Sequence, residues 1–394
     1  MKKKEDLSLY IHIPFCRTRC GYCDFITFAG RESAIPAYLE AVKKEIIHFA
    51  RHLREKYFLK TIYFGGGTPS LIPAKEIGNL IGIIKSVFEA NDRIMEVSLE
   101  ANPNELTKEY LRKIRDSGIN RLSIGMQSAV SEELKVLDRC HTLDDVIVSV
   151  NFARESGLNN LNLDLMYAIP YQTLPSLIDS INQAIYLQPE HLSVYGLLYH
   201  DGTPLQNKIE NGLVDPVDED LAGDMYAWLI ETLPQYGYGQ YEISNWAHDQ
   251  KYYCQHNLAY WRNATYLGIG TGAHSHIGNY RWNNVMDIQS YIDGVPQSQH
   301  NAYFLTASQN MIRLTKSDKI KETLMMGLRL TQEGVSLEKF KARFDDDLMV
   351  LYGDEIIRLQ DQDLVEIKVM EGEKCIRLTK RGYLLGNQVF MAFL

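Results

Sequence analysis

The 394-residue chain is poor in cysteine: six are too few for a disulfide scaffold at this length, and three of them fall within eight residues. That clustering points to a reducing compartment and to a metal. No stretch approaches the roughly 18 consecutive apolar residues that a spanning helix needs, so no transmembrane segment is expected, while peripheral contact with a membrane surface stays open. The basic start Met1-Lys2-Lys3-Lys4 leads into an apolar stretch broken at His12, without a small-residue cleavage site. This reads as no signal peptide, and a cytoplasmic location is expected. Positive charge is also short: 41 basic residues against 50 acidic give a net charge of -9, which removes the electrostatic reason to expect a nucleic acid as partner. Low-complexity segments are missing as well.

What is present is enough apolar material, 45% of residues, for two or three domains. Six short runs read as buried strands: Leu9 to Ile13, Thr61 to Phe64, Glu96 to Leu99, Arg121 to Gly125, Leu161 to Met166 and His191 to Tyr195. Helical periodicity fills the gaps. Ser33 is expected to cap a helix through Tyr38, Leu39, Val42, Ile46 and Phe49, and threonines precede helices at 107 to 117 and 142 to 156. Gly118 and Gly157 stand just past the ends of these two. Alternating strand and helix predict an α/β fold of parallel units. The unusual polar and glycine-rich segments all fall at the C-terminal ends of strands, which predicts a barrel mouth rather than an open doubly wound sheet.

The rhythm changes after about residue 200, where aromatic-rich loops are expected around Tyr236, Tyr241, Trp246, Tyr253, Tyr260 and Trp261. It changes again near Leu305. There, three helices, a β-hairpin turned at Glu371-Gly372-Glu373 and a final apolar helix predict a small α+β, winged-helix-like domain. The expected division is 1–235 for the barrel, 236–304 for the aromatic extension and 305–394 for the last domain. Its expected role is a lid across the barrel mouth.

Cys16, Cys20 and Cys23 are spaced C-x3-C-x2-C. Three thiolates on a short loop can hold three irons of a [4Fe-4S] cube and leave the fourth open to a substrate. A structural zinc site completed by His12, or three unrelated thiols, are the alternatives. With the glycine run Gly65-Gly66-Gly67-Thr68-Pro69 one strand later, the chain resembles the radical S-adenosylmethionine superfamily. The resemblance implies a partial (β/α)6 TIM-like barrel, a [4Fe-4S] cluster on the three cysteines, and S-adenosylmethionine chelating the open iron, from which one electron generates a 5'-deoxyadenosyl radical.

Further segments widen the likeness: Tyr10 to Cys16, Glu100, Arg121 to Gln127, Asp164 to Tyr167 and His191 to Tyr195 resemble the oxygen-independent coproporphyrinogen III oxidase family. That resemblance implies that Tyr10, Tyr22, Gly66, Gly67, Thr68, Glu100, Gln127, Arg139 and Asp164 line the S-adenosylmethionine site. Chemically, Glu100 and Asp164 suit ribose hydroxyls or an amino group, and Arg139 suits a carboxylate. Two departures from the oxidase pattern put oxidative decarboxylation of coproporphyrinogen in doubt. Phe25 stands where the oxidases carry a further cysteine, and the first strand begins by about Leu7.

Both departures, with His256-Asn257-Leu258-Ala259-Tyr260-Trp261 as an H-N-x-x-Y-W motif, resemble the HemW-type heme chaperones of that family. This implies heme as ligand, transfer to acceptor proteins with respiratory ones among the candidates, and His256 as a heme ligand. His274, His276 and Cys254 are further candidates, and Cys140 and Cys375 read as free thiols.

Overall fold

A computed structural model of the chain describes residues 4–90, 95–295, 305–370 and 372–394. All six expected strands form: β1 (Glu5–Ile13), β2 (Tyr57–Gly66), β3 (Glu96–Ala101), β4 (Arg121–Gln127), β5 (Leu161–Tyr167) and β6 (His191–Gly196). They pair in parallel and in chain order. Period-two alternation gives each strand two characters. On β1, Leu7, Leu9, Ile11 and Ile13 share the face that joins Val42, Ile46 and Phe49 of the helix Ile35–Leu53 in the main core. The other face carries Ser8, Tyr10 and His12, and the corresponding positions of β3, β5 and β6 carry Glu96, Ser98, Glu100, Asn162, Asp164, His191 and Ser193. The barrel therefore has an apolar outside under helices and a polar inside.

Thr107 and Thr142 accept hydrogen bonds from the third backbone N–H of the helices Lys108–Asp116 and Leu143–Glu155. Ser33 does not act this way. It lies in a 3-10 turn, and the helix starts at Ile35 behind Ala34, with a proline in its first turn setting the entry instead.

The aromatic region expected as loops contributes short strands to both edges of the sheet. Tyr266–Ile269 runs parallel to β1 and is followed outward by His274–Ile277, Tyr280–Asn284 and Ser308–Arg313. On the other edge Asn245–Ala247 and Gly239–Glu242 pair antiparallel next to β6. The described residues thus form one twelve-stranded sheet whose middle is the half-closed barrel. These edge strands span three to six residues, too short for an alternation to stand out against the surrounding tyrosines.

Residues 248–265 cross from β6 to β1 beneath the N-terminal ends of the strands and include the helix Gln255–Trp261. The last domain has helices Lys316–Gly327, Leu337–Phe344 and Leu348–Asp361 and a three-stranded sheet of Val335–Ser336, Glu373–Leu378 and Val365–Met370. It has its own core, built on Leu324, Phe340, Ile356, Ile376 and Phe393. Glu371 of the expected turn lies outside the described residues, and the expected final helix is two short ones, Lys380–Leu384 and Gly386–Met391.

The domain is not a lid over the mouth. It docks at the opposite end, where Leu330 packs with Tyr241 and Leu258, Tyr253 Oη donates to Gln332, and Arg343 donates to the Asn263 carbonyl. Apolar surface around the crossing segment at that end is what it covers. No helix among the described residues is long and apolar enough to cross a membrane.

Glu45 ties the β1 edge together. Fully buried, it accepts hydrogen bonds from the Gly270 N–H, the Asn284 amide and the Tyr291 hydroxyl. Glu45→Ala leaves three buried donors without an acceptor and should cost about 3 kcal/mol in denaturant unfolding, whereas Lys44→Ala on the exposed side of the same helix should leave the midpoint unchanged.

Candidate functional site

The cysteine loop leaves β1 at Ile13 and is tied down by backbone bonds. Cys23 N–H donates to the Cys20 carbonyl in a tight turn, Gly21 N–H donates to Leu137, and Phe28 N–H donates to Pro14. The glycine run at the end of β2 holds it from the side, with Gly67 N–H on the Ile13 carbonyl and Thr68 N–H on the Phe15 carbonyl, each at 2.8 Å. A Cβ on Gly67 would meet both carbonyl oxygens within 2.8 Å and Cys16 Sγ at 3.0 Å, so only glycine fits. Gly66, at φ +112°, sits against the His12 ring. Since Gly66 N–H goes to Glu100 Oε2, the capacity these residues keep is mainly that of carbonyl acceptors, the complement of an amino group.

Around the loop opens a cavity of about 350 Å³ lined by the three cysteines, Tyr22, Gly66, Gly67, Thr68, Glu100, Gln127, Arg139 and Asp164. The structure thus brings together every expected residue of the cluster and S-adenosylmethionine set except Tyr10. The Tyr10 hydroxyl instead meets His12 Nδ1 at 3.0 Å, and its ring packs on Tyr63 behind the cavity wall.

Arg139 organises one side, donating to Cys20 Sγ at 3.5 Å and to Asn102 Oδ1 and the Gly125 carbonyl at 2.9 Å. Thr68 Oγ1 donates to Cys16 Sγ at 3.5 Å. Burial pushes the Cys16 thiol up to about 11, so a bound cation is what would draw off its proton. A zinc site completed by His12 is not built: its ring nitrogens meet the Tyr10 hydroxyl and the Ile26 carbonyl. Among the described residues no three metal-binding side chains converge on a single-ion site.

Two carboxylates face the cavity from β3 and β5. Glu100 accepts from Tyr63 Oη at 2.8 Å and from Gly66 N–H at 3.0 Å, and burial pushes its carboxyl up to about 7. Asp164 accepts from Ser123 and Asn162 at 2.8 Å and is likewise raised by burial. Gln127 reaches the cavity from a bulge at the end of β4, where its backbone is left-handed at φ +61°. Asn102, Ser123 and Tyr63 also line the cavity and were not expected there. For Ser123 and Tyr63 the signal was strand parity, since each lies two residues from a glycine that also lines the mouth or its rim.

His256 is not brought to this mouth. Its helix lies under the barrel, with Glu96 of β3 accepting from Gln255 N–H at 2.8 Å and His256 N–H at 3.2 Å. Glu96 sits four residues below Glu100, about 13 Å at the usual rise of a strand. The His256 ring is buried, stacked on Tyr63 at 5.0 Å, with Nδ1 at 2.9 Å from Thr61 Oγ1 and Nε2 at 3.0 Å from Tyr260 Oη. Burial lowers its pKa to about 3, and neither nitrogen is free for iron in this arrangement. Cys254 is buried beside Glu96, while His274 and His276 lie on the outer β1 edge.

Residues 10–184 match the radical SAM superfamily and residues 314–385 match the HemN C-terminal domain. The chain is 35% identical to the heme chaperone HemW of Bacillus subtilis over 98% of its own length and 99% of that protein's. It belongs to the HemW family. The corresponding protein of Lactococcus lactis is 34% identical over 98% of this chain and 97% of its own. The solved coproporphyrinogen III oxidase HemN of Escherichia coli, described as a radical SAM enzyme, superposes with a TM-score of 0.83 at 26% identity, covering 99% of this chain and 90% of that one. This chain and the oxidase thus share the fold.

The raised Glu100 carboxyl has a consequence for stability. Its contribution is fully present below its ordinary value of 4.5 and is lost as pH rises through about 7, because the folded protein disfavours the charged form. Glu100→Gln should therefore raise the melting point of the cluster-free protein at pH 8, by up to about 3 kcal/mol of stability, and leave it unchanged at pH 4. Melting curves at the two pH values check this.

Proposed function

We propose that the protein is a heme carrier of the cytoplasm, which binds heme as cargo and passes it to acceptor proteins, respiratory ones among them. We further propose that Cys16, Cys20 and Cys23 hold a [4Fe-4S] cluster and that Gly66, Gly67, Thr68, Glu100, Gln127, Arg139 and Asp164, with Tyr22 beside the loop, receive S-adenosylmethionine. Tyr10 belongs to this set as a support behind Tyr63. Residues 1–235, 236–304 and 305–394 are the working segments of this reading.

The donor set fits: three thiols on one tied loop, next to a cavity that offers acceptors for an ammonium and hydroxyls and an arginine for a carboxylate. When bound, the cluster supplies a one-electron reductant with an open iron. The chain's own residues orient the ligand and keep the loop from collapsing into the cavity.

The observation that carries the carrier reading over the oxidase is Phe25, 59% exposed on the rim of the cavity, where the oxidase pattern places a further cysteine. The second reading, a radical enzyme acting on a porphyrin such as coproporphyrinogen, is favoured by the 0.83 TM-score to HemN.

Anaerobically reconstituted protein should show a cluster EPR signal that S-adenosylmethionine perturbs. Replacing the three cysteines by alanine should abolish it, while Arg139→Ala should keep the cluster and weaken S-adenosylmethionine at least about tenfold, the loss of a charge-assisted pair. Hemin should bind and then move to an apo acceptor. Turnover of coproporphyrinogen III with dithionite and S-adenosylmethionine would overturn the carrier reading in favour of the enzyme.

A further inference from the structure

A second cavity, of about 730 Å³, lies at the closed end of the barrel, between the helix Gln255–Trp261 and the last domain. Its size is that of a small-molecule or cofactor site. The His256 helix divides its motif by helical spacing: His256 and Tyr260, four apart, meet each other and the barrel interior, while Leu258, Trp261 and Arg262 line this cavity. Tyr253, whose ring stacks on Tyr241 at 4.0 Å, continues the wall. The facing wall comes from the last domain, with Val335, Phe340, Met370 and the buried Cys375.

The rim is charged. Arg343, Arg262 and Lys339 line the cavity together with Glu333 and Glu373, which pair with Arg262 and Lys339 and leave Arg343, donating to the Asn263 carbonyl, as the cation that neither carboxylate pairs. The Trp261 indole N–H, although buried, has no hydrogen-bond partner among the described residues. The Cys375 thiol has only a weak donation to the Glu373 carbonyl, at 3.8 Å. A slot with aromatic, aliphatic and amide walls, one soft donor inside and three cations against two carboxylates at its edge has the parts to take a flat macrocycle that carries iron at its centre and carboxylates at its margin.

We infer that this cavity is the heme site, with Cys375 Sγ as the iron ligand and Arg343, joined by Lys339 released from Glu373, receiving the propionates. The inference rests on the carrier reading and deepens it by placing the cargo at the end of the barrel away from the cluster. On binding, the thiol releases its proton to solvent as sulfur coordinates the ferric iron, and no electron moves.

The test is a titration of the full-length, anaerobically purified protein with hemin and with hemin dimethyl ester, read by the Soret band and ferric EPR. Wild type should show thiolate-type ligation and bind the diester at least about tenfold more weakly, the loss of charge-assisted contacts. Cys375→Ser should abolish the thiolate spectrum. Lys339→Glu, on an exposed side chain that folding does not need, should weaken hemin but not its diester. His256→Ala should keep the thiolate signature. If wild type binds hemin and neither Cys375→Ser nor Lys339→Glu changes the spectrum or the affinity, the cavity assignment is wrong and the carrier reading stands. If wild type binds no hemin, both fall.

Discussion

The inner face of the barrel is polar and shut off from water, and every ionisable group on it must find a partner within the barrel. This constraint orders the rest. At the floor Glu96 is satisfied by the N-terminal N–H groups of the helix beneath it, which also suits the sign of the helix dipole. His191 is held between Asn162 and Tyr241, and Asn162 passes the network on to Ser123, Ser193 and Asp164. At the mouth Glu100 accepts from Tyr63 and Gly66, and burial outweighs these bonds and raises its carboxyl to about 7. A floor whose Glu96 and His191 are both partnered and a mouth with an open cavity give the barrel its direction.

Much of this was legible in the residues. The βα rhythm, the strand ends and the threonine caps rest on local rules, and local rules are what a chain states openly. The cavity residues were reachable because the cysteine spacing, the glycine run and the strand-end segments carry a family resemblance, and the resemblance implies the rest of the set. What escaped was what depends on the packing of distant segments. The edge strands carry no pattern of their own and exist because β1 and β6 offer unpaired edges. The docking of the last domain was read to the wrong end because nothing local in residues 305 to 394 says which surface Leu330 will meet. Tyr10 is placed in the cavity by the family resemblance alone, but its hydroxyl is committed to His12.

The H-N-x-x-Y-W motif is instructive because a motif records residues, not the direction they face. Read along the chain, His256 stands among aromatics and invites ligation. In the fold, a seven-residue helix turns the motif into two surfaces, and the histidine is on the inner one, as a pillar under Tyr63. The outer surface, with Leu258 and Trp261, is what a bound molecule could touch.

That division makes one short helix common to both ends of the barrel. On its inner side His256 stacks on Tyr63, and Tyr63 donates to Glu100, which holds Gly66 at the wall of the upper cavity. On its outer side it walls the lower cavity. The contacts are contiguous from His256 through Tyr63 to Glu100. Swinging the His256 ring out to meet an iron would break its bonds to Thr61 and Tyr260, two losses inside a buried network where each unpaired group is costly. A ligand that enters beside the helix, against Trp261 and the last domain, requires neither of them. The geometry therefore favours cargo held outside the barrel floor, with the floor itself kept intact.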